Sequence, residues 1–123
     1  MKYLFLCSTL FLAGCESHAP EPSTNYKQAG TVLASWYGGG ERLARHTANG
    51  DVFRPSALTA AHRNYPFGTV LRVSHQGRHV DVVVNDRGPN ARTGRSLDLS
   101  KGAAQQLGII GSGTAHVQIE VKE

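Results

Sequence analysis

The residues of this chain best placed to do chemistry are a carboxylate and a guanidinium side by side at the end of an apolar run. Asp86 and Arg87 lie in Asn85-Asp86-Arg87-Gly88-Pro89, directly after Val82-Val83-Val84. A β-branched run that ends in a carboxylate, a guanidinium, a glycine and a proline reads as a strand emptying into a tight polar turn. Gly88 admits positive φ and Pro89 fixes its own, so the turn has few conformations to lose and can hold Asp86 firmly at the rim of a cleft. Taken alone, the pentapeptide also fits a plainer reading, a strand-ending turn that merely carries two charges. Asp98, between Leu97 and Leu99, suits two roles equally: a buried partner for an arginine, or a second cleft carboxylate. Trp36 and Tyr37 offer aromatic faces for stacking, but consecutive strand residues face opposite ways, so one of them belongs to the core. His75 and His79 lie four apart across a predicted turn instead of along a helix, a spacing that does not favour a metal. No metal or cofactor is expected.

The elements that must position these groups are mostly strands. Thr31 to Tyr37 is rich in β-formers and runs into Gly38-Gly39-Gly40, a strand followed by a flexible loop. Ser56 to Ala61 is short and ambiguous. Thr69 to Ser74 alternates, and Gln76-Gly77 makes a hairpin turn into Arg78 to Asn85. Along that second strand Val80, Val82 and Val84 share a face, and Asp86 has the same parity, which predicts that it projects on the apolar side if the strand continues that far. Ser96 to Leu99 is another short strand. Ser100 then suits the N-cap of a helix bearing Ala103, Ala104 and Leu107, with Gly108 just past its end. Ala115 to Val121 alternates as a last strand. Short strands, one helix and frequent glycine turns predict a mainly β fold, a compact barrel.

The N-terminus carries a different message. Met1-Lys2 and the apolar stretch Tyr3 to Gly14 form a basic n-region and an h-region too short to span a bilayer, the pattern of a secretory signal. Leu12-Ala13-Gly14-Cys15 resembles the lipobox of bacterial lipoproteins, which implies cleavage before Cys15 and lipidation of its thiol. Two or more acyl chains give stable anchoring, and Glu16, where an aspartate would retain the protein at the inner membrane, favours the outer one. Cys7 leaves with the signal, so no disulfide pair remains and the domain must be held by its core. Residues 15–30, polar and proline-containing, read as a lipidated tether, and 31–123 as one domain. The formal net charge of +4 loses one unit with Lys2. A basic exported domain suits anionic envelope polymers. Without aromatics interleaved among Lys and Arg, nucleic acid is not an expected partner.

Six short motifs, Ala34-Ser35-Trp36-Tyr37-Gly38, Thr47-Ala48-Asn49-Gly50-Asp51, Thr59-Ala60-Ala61-His62, Pro66-Phe67-Gly68-Thr69, Asn85-Asp86-Arg87-Gly88-Pro89 and Ser96-Leu97-Asp98-Leu99-Ser100, resemble the rare lipoprotein A family in order and spacing. The resemblance covers Gly30 to Val121. It implies a six-stranded double-psi β-barrel, similar to that of expansins, and a lytic transglycosylase. Such an enzyme cuts peptidoglycan glycan strands, preferably denuded of stem peptides, between N-acetylmuramic acid and N-acetylglucosamine and leaves a 1,6-anhydro end. Carried over by position, the resemblance marks Asp51, His62 and Asp86 as catalytic and Cys15 as the lipidated residue. Trp36, Tyr37, Asn49, Asn85, Arg87 and Asp98 then become candidate substrate contacts. The protein is expected to act as a monomer.

Glycosidic cleavage needs a proton for the leaving oxygen and negative charge near the oxocarbenium-like centre, and carboxylates supply both. Asp86 is the expected acid and later base, His62 an orienting group, and Asp51 an electrostatic stabiliser. Three departures from the family pattern stand out. Asp51 replaces a more usual Glu and is one methylene shorter. The loop Gly39 to His46 is atypical. The chain ends at Glu123 directly after the last strand, so the C-terminal glycan-binding repeat domain of many relatives is expected to be absent. The shortened acid keeps a rival reading open, a non-catalytic expansin-like module that binds the wall.

Overall fold

The computed structural model describes residues 25–41 and 45–123. The signal segment, the lipobox at Cys15, residues 16–24 and the middle of the Gly39 to His46 loop lie outside the described residues. Among the described residues are six strands, β1 (Tyr26–Tyr37), β2 (Thr59–His62), β3 (Val70–His75), β4 (Arg78–Asp86), β5 (Leu97–Ser100) and β6 (Thr114–Lys122), a 3-10 turn at Ala91–Thr93 and one α-helix, α1 (Lys101–Leu107), between the last two strands. They close into a barrel in the order β1-β5-β2-β4-β3-β6. β1 runs parallel to β5, and β2 runs parallel to β4. The remaining neighbours are antiparallel. Closure leaves no open sheet edge to protect.

The barrel interior is filled by the apolar positions that alternate along these strands. Leu71 and Val73 of β3, Val80, Val82 and Val84 of β4, Leu97 and Leu99 of β5, and Val117 and Ile119 of β6 are all buried. Helix α1 adds Ala103, Ala104 and Leu107 to the same cluster. Its ends follow the sequence reading. The Ser100 hydroxyl accepts from Ala103 N, and Gly108 takes the left-handed conformation with φ of 82° while its N–H returns to Ala104 and Gln105. Gly102 is required by contact, because a Cβ there would lie 2.6 Å from the carbonyl oxygen of Ser56.

β1 starts at Tyr26, earlier than the expected Thr31. Residues 26–30 are mostly exposed and carry no apolar alternation, yet their backbone pairs with β6 from Tyr26↔Lys122 onward. The part of the expected tether from Tyr26 to Gly30 is therefore barrel strand. A bulge between Gln28 and Gly30, with Gly30 at φ of 101°, interrupts the ladder and hides the strand from pattern reading.

A second bulge matters more. β2 and β4 pair as Thr59↔Val83 and Ala60↔Val84, and then the register jumps to Ala61↔Asp86, leaving Asn85 as the extra residue. Paired residues share a face, so Asp86 faces outward with Ala61 and not inward with Val84. The expectation that Asp86 projects on the apolar side is corrected here. The parity rule assumes an unbroken ladder, and one inserted residue inverts it.

Candidate functional site

The bulge delivers Asp86 to a cleft of about 310 Å³ at the outward end of β1, β2, β4 and β5. Asp86, Arg87, Tyr37 and Asp98 line it together with His46, Thr47, Phe53 and Ala61. The Asp86 carboxylate is tightly held. Its Oδ1 accepts from Ala48 N and Arg87 N, both at 2.9 Å, and its Oδ2 faces the Tyr37 hydroxyl at 3.4 Å. Two donors aimed at one oxygen leave the other as the place for a transferable proton.

Tyr37 and Trp36 divide as consecutive strand residues must. Trp36 packs against the core cluster and over Gly39, where a Cβ would come within 2.7 Å of its ring. It is not among the residues that line the cleft. Tyr37 lies in the cleft and stacks on Phe53 with centroids 4.8 Å apart and planes 12° apart. Burial, and then the negative charges of Asp86 and Asp98, push its phenol well above the ordinary range. It remains a hydrogen-bond donor at any physiological pH.

Asp98 proves to serve both roles that its sequence context left open. It accepts from the Ser35 hydroxyl, and Arg95 Nη1 lies 3.4 Å from the same Oδ1 and 2.6 Å from Ser35 Oγ. The register Ser35↔Asp98 across the parallel β1/β5 pair sets this contact, and Ala61↔Asp98 places the acid beside Asp86 across β2. The acid is thus an arginine partner and a cleft carboxylate at once.

Asp51 sits on the loop that closes over the bulge. Thr47 N donates to Asp51 O at 2.8 Å, Gly50 N returns to Thr47 O at 2.9 Å, and His46 pairs with Val52. Asn49 is consumed inside this loop. Its Oδ1 accepts from the Thr47 hydroxyl and Asp51 N, and its Nδ2 donates to Asp51 Oδ2 at 3.0 Å. Asn85, buried, links the loop to β4 by donating to Asp51 Oδ2 at 3.5 Å and accepting from Asn49 N at 3.2 Å through its carbonyl. Asp51 is exposed on the rim and does not line the cleft. Asp51 and Asp86 therefore flank Asn85.

His62 is held by the loop that follows it. Its Nδ1 accepts from Asn64 N at 3.0 Å and Tyr65 N at 3.2 Å, and its ring leans on Tyr65. Burial, aided by Arg63 and Arg87, pushes its pKa down and favours the neutral ring that those two N–H groups require. Arg87 Nη1 in turn donates to the carbonyls of His62 and Tyr65 at 3.0 and 2.8 Å, and its guanidinium covers the Phe67 ring at 3.8 Å. His62 and Arg87 together fix the turn that carries Asp86. Phe53 and Thr47 were not singled out as site residues by the sequence. Thr47 lies in a quoted motif, but nothing in the composition around Phe53 marks it.

A closed six-stranded barrel with two parallel strand pairs and a carboxylate cleft across them defines the class, a double-psi β-barrel. Residues 29–119 match the lytic transglycolase family, and the chain belongs to it. It is 58% identical over 92 residues to the probable endolytic peptidoglycan transglycosylase RlpA of Nostoc sp., covering 72% of this chain and 24% of that protein. It is 50% identical over 91 residues to the endolytic peptidoglycan transglycosylase RlpA of Campylobacter jejuni, covering 72% and 32%. The chain thus spans about a quarter to a third of these relatives' length. Among solved structures it resembles the Streptomyces papain inhibitor, with a TM-score of 0.62, 19% identity and coverage of 79% of this chain and 96% of that one. It also resembles the apo expansin of Clavibacter michiganensis, with a TM-score of 0.61, 22% identity and coverage of 76% and 50%. At these identities the likeness shows the fold alone.

Proposed function

We propose that this chain is an endolytic peptidoglycan transglycosylase that cuts between N-acetylmuramic acid and N-acetylglucosamine in glycan strands, preferably denuded ones, and leaves 1,6-anhydro ends. The observation that carries the reading is Asp86, re-aimed by the Asn85 bulge into a cleft it shares with Asp98 and Tyr37. The expansin-like alternative is set aside, because the relatives similar over the domain are named transglycosylases and the expansin likeness speaks for fold only.

In the proposed reaction, Asp86 enters protonated on Oδ2, since Oδ1 is occupied by two backbone N–H donors. The proton passes to the glycosidic oxygen as the C1–O bond breaks. The resulting carboxylate takes the proton of the muramic C6 hydroxyl as that oxygen attacks C1, closing the anhydro ring and restoring the acid without water. Tyr37 remains protonated and donates to Asp86 when it is ionised. Asp98, held by Ser35 and Arg95, provides the second negative charge facing the developing oxocarbenium. Asp51 acts from the rim through Asn85 and along an extended glycan. His62 and Arg87 are positioning residues. The test is digestion of denuded sacculi with mass spectrometry of the products. Anhydro-ended fragments appear with the native chain and vanish with Asp86→Asn, whereas binding to sacculi with no soluble product removes catalysis from the proposal.

The cellular setting is part of the same proposal, supported by the lipobox-like Leu12-Ala13-Gly14-Cys15 and by Glu16: Cys15 carries the lipid, and the domain faces the periplasm from the outer membrane and acts as a monomer. Among the described residues no helix is long and apolar enough to cross a membrane. Metabolic acyl labelling that persists in Cys15→Ser overturns the anchor.

A further inference from the structure

A concavity of about 490 Å³ lies away from the carboxylate cleft, at the β3–β4 hairpin. β4 begins at this hairpin with Arg78 and ends at the cleft with Asp86, so at about 3.3 Å per residue the two regions are roughly 25 Å apart. Its lining holds His75, Arg78, His79 and His116 with Thr31 and Gln118, and no carboxylate. The register explains the convergence. Thr31 pairs with Gln118, Gln118 with Ser74, and Ser74 with His79, so four strands present one polar row on the outer face. His116 stands two residues from Gln118 on the same face, and His75 pairs with Arg78 at the hairpin end.

We propose that this concavity is a binding site for a phosphoryl group. The donors come from three strands and surround a hollow, an arrangement suited to a tetrahedral anion with several acceptor oxygens. A planar carboxylate is satisfied by one guanidinium fork. Arg78 makes no ion pair with a described residue. Its Nη1 lies against the end of α1, where a Cβ at Gly108 would approach it to 2.9 Å. His75 Nδ1 donates to the His116 carbonyl at 3.1 Å, so Nε2 is the ring atom that it offers. That atom donates to an anion only when the ring is protonated. The charged groups facing the imidazoles are Arg78, Asp81 on β4 and Glu120 on β6. Asp81 is engaged by Arg72, at 2.8 and 3.2 Å, and by the Tyr26 hydroxyl at 2.7 Å. Glu120 is contacted by Gln28 at 3.4 Å. Among the described residues no group of three or more ligating side chains is arranged to hold a metal ion, and the excess of donors points to an anion instead.

The test is a titration of the full chain with inorganic phosphate, followed by amide and imidazole NMR shifts at constant ionic strength. At about pH 6 the expected shifts gather at Arg78, His79 and His116 and saturate. Arg78→Gln and the exposed His116→Gln each weaken binding about fivefold or more while leaving release of anhydro ends unchanged. Vesicles containing phosphatidic acid separate the sources. Co-sedimentation lost in His116→Gln assigns a lipid headgroup, and a response to phosphate alone assigns a soluble phosphoryl compound; either supports the site. Equal shifts from acetate or chloride, or shifts gathered around Asp86, overturn it.

Discussion

Replacing Tyr37 by Phe isolates one hydroxyl in the cleft. The ring stays, and with it the stack on Phe53 at 4.8 Å, so substrate packing is preserved. What is lost is the donor 3.4 Å from Asp86 Oδ2. A hydrogen bond to a charged group is worth about 1.5–3 kcal/mol, and at this stretched distance about 1 kcal/mol is a fair share. That converts to roughly a fivefold fall in kcat, with KM changed by less than about twofold. The assay is the initial rate of anhydro-end release from soluble denuded glycan, measured over a range of substrate concentrations. A rate equal to that of the native chain shows that the hydroxyl supports nothing. A fall of about a hundredfold or more makes Tyr37 the proton donor and removes Asp86 from that role. Because the phenol is pushed upward by burial and by Asp86 and Asp98, the native rate shows no alkaline loss from its ionisation near pH 10.

The other predictions concern reach, stability and pH. Asp51→Glu restores the length more usual in the family and raises turnover about tenfold, since an ångström of misplacement costs up to about a hundredfold; an unchanged rate shows that Asp51 acts only through Asn85. Ser100→Ala removes an N-cap and leaves Ala57 O and Thr59 N without a buried partner, which costs about 2–3 kcal/mol in denaturant titration. His62 has a folded pKa below its unfolded value of about 6.5. The unfolded chain therefore binds more protons, and the contribution of His62 to stability is complete above that value and lost as pH falls through the folded pKa. Melting temperature should drop on acidification below about pH 6.5, and His62→Gln should flatten that part of the curve; an unaltered slope assigns the drop to other groups.

Much of the barrel was legible because its signals are local. Val80, Val82 and Val84 alternate, Ser100 and Gly108 bracket α1, and Gln76-Gly77 marks the hairpin, each a property of a few adjacent residues. β2 stayed ambiguous because four residues contain too little pattern, and the start of β1 was hidden because residues 26–30 contribute backbone pairing with almost no buried side chain. The motifs named Asp86, Asp51 and His62, but not their division of labour. That Asp98 shares the cleft depends on register across strands distant in sequence, whereas the bonds of His62 to Asn64 and Tyr65 and of Asn49 to Thr47 and Asp51 are local contacts whose geometry the residue types alone do not disclose. Parity left Trp36 and Tyr37 undecided, and the packing of Trp36 over Gly39 settled it.

The bulge at Asn85 means that the facing of Asp86 is stored as phase, one residue counted in or out of a strand, and not in the identity of any side chain. A single-codon deletion there would leave the valines of β4 in place and rotate the acid toward the barrel interior. The same scaffold could thereby gain or lose an exposed carboxylate in one step. In a lineage built on this barrel, insertions and deletions at the ends of β4 are then as telling as substitutions, and an alignment that closes gaps for neatness would erase the event that made the site.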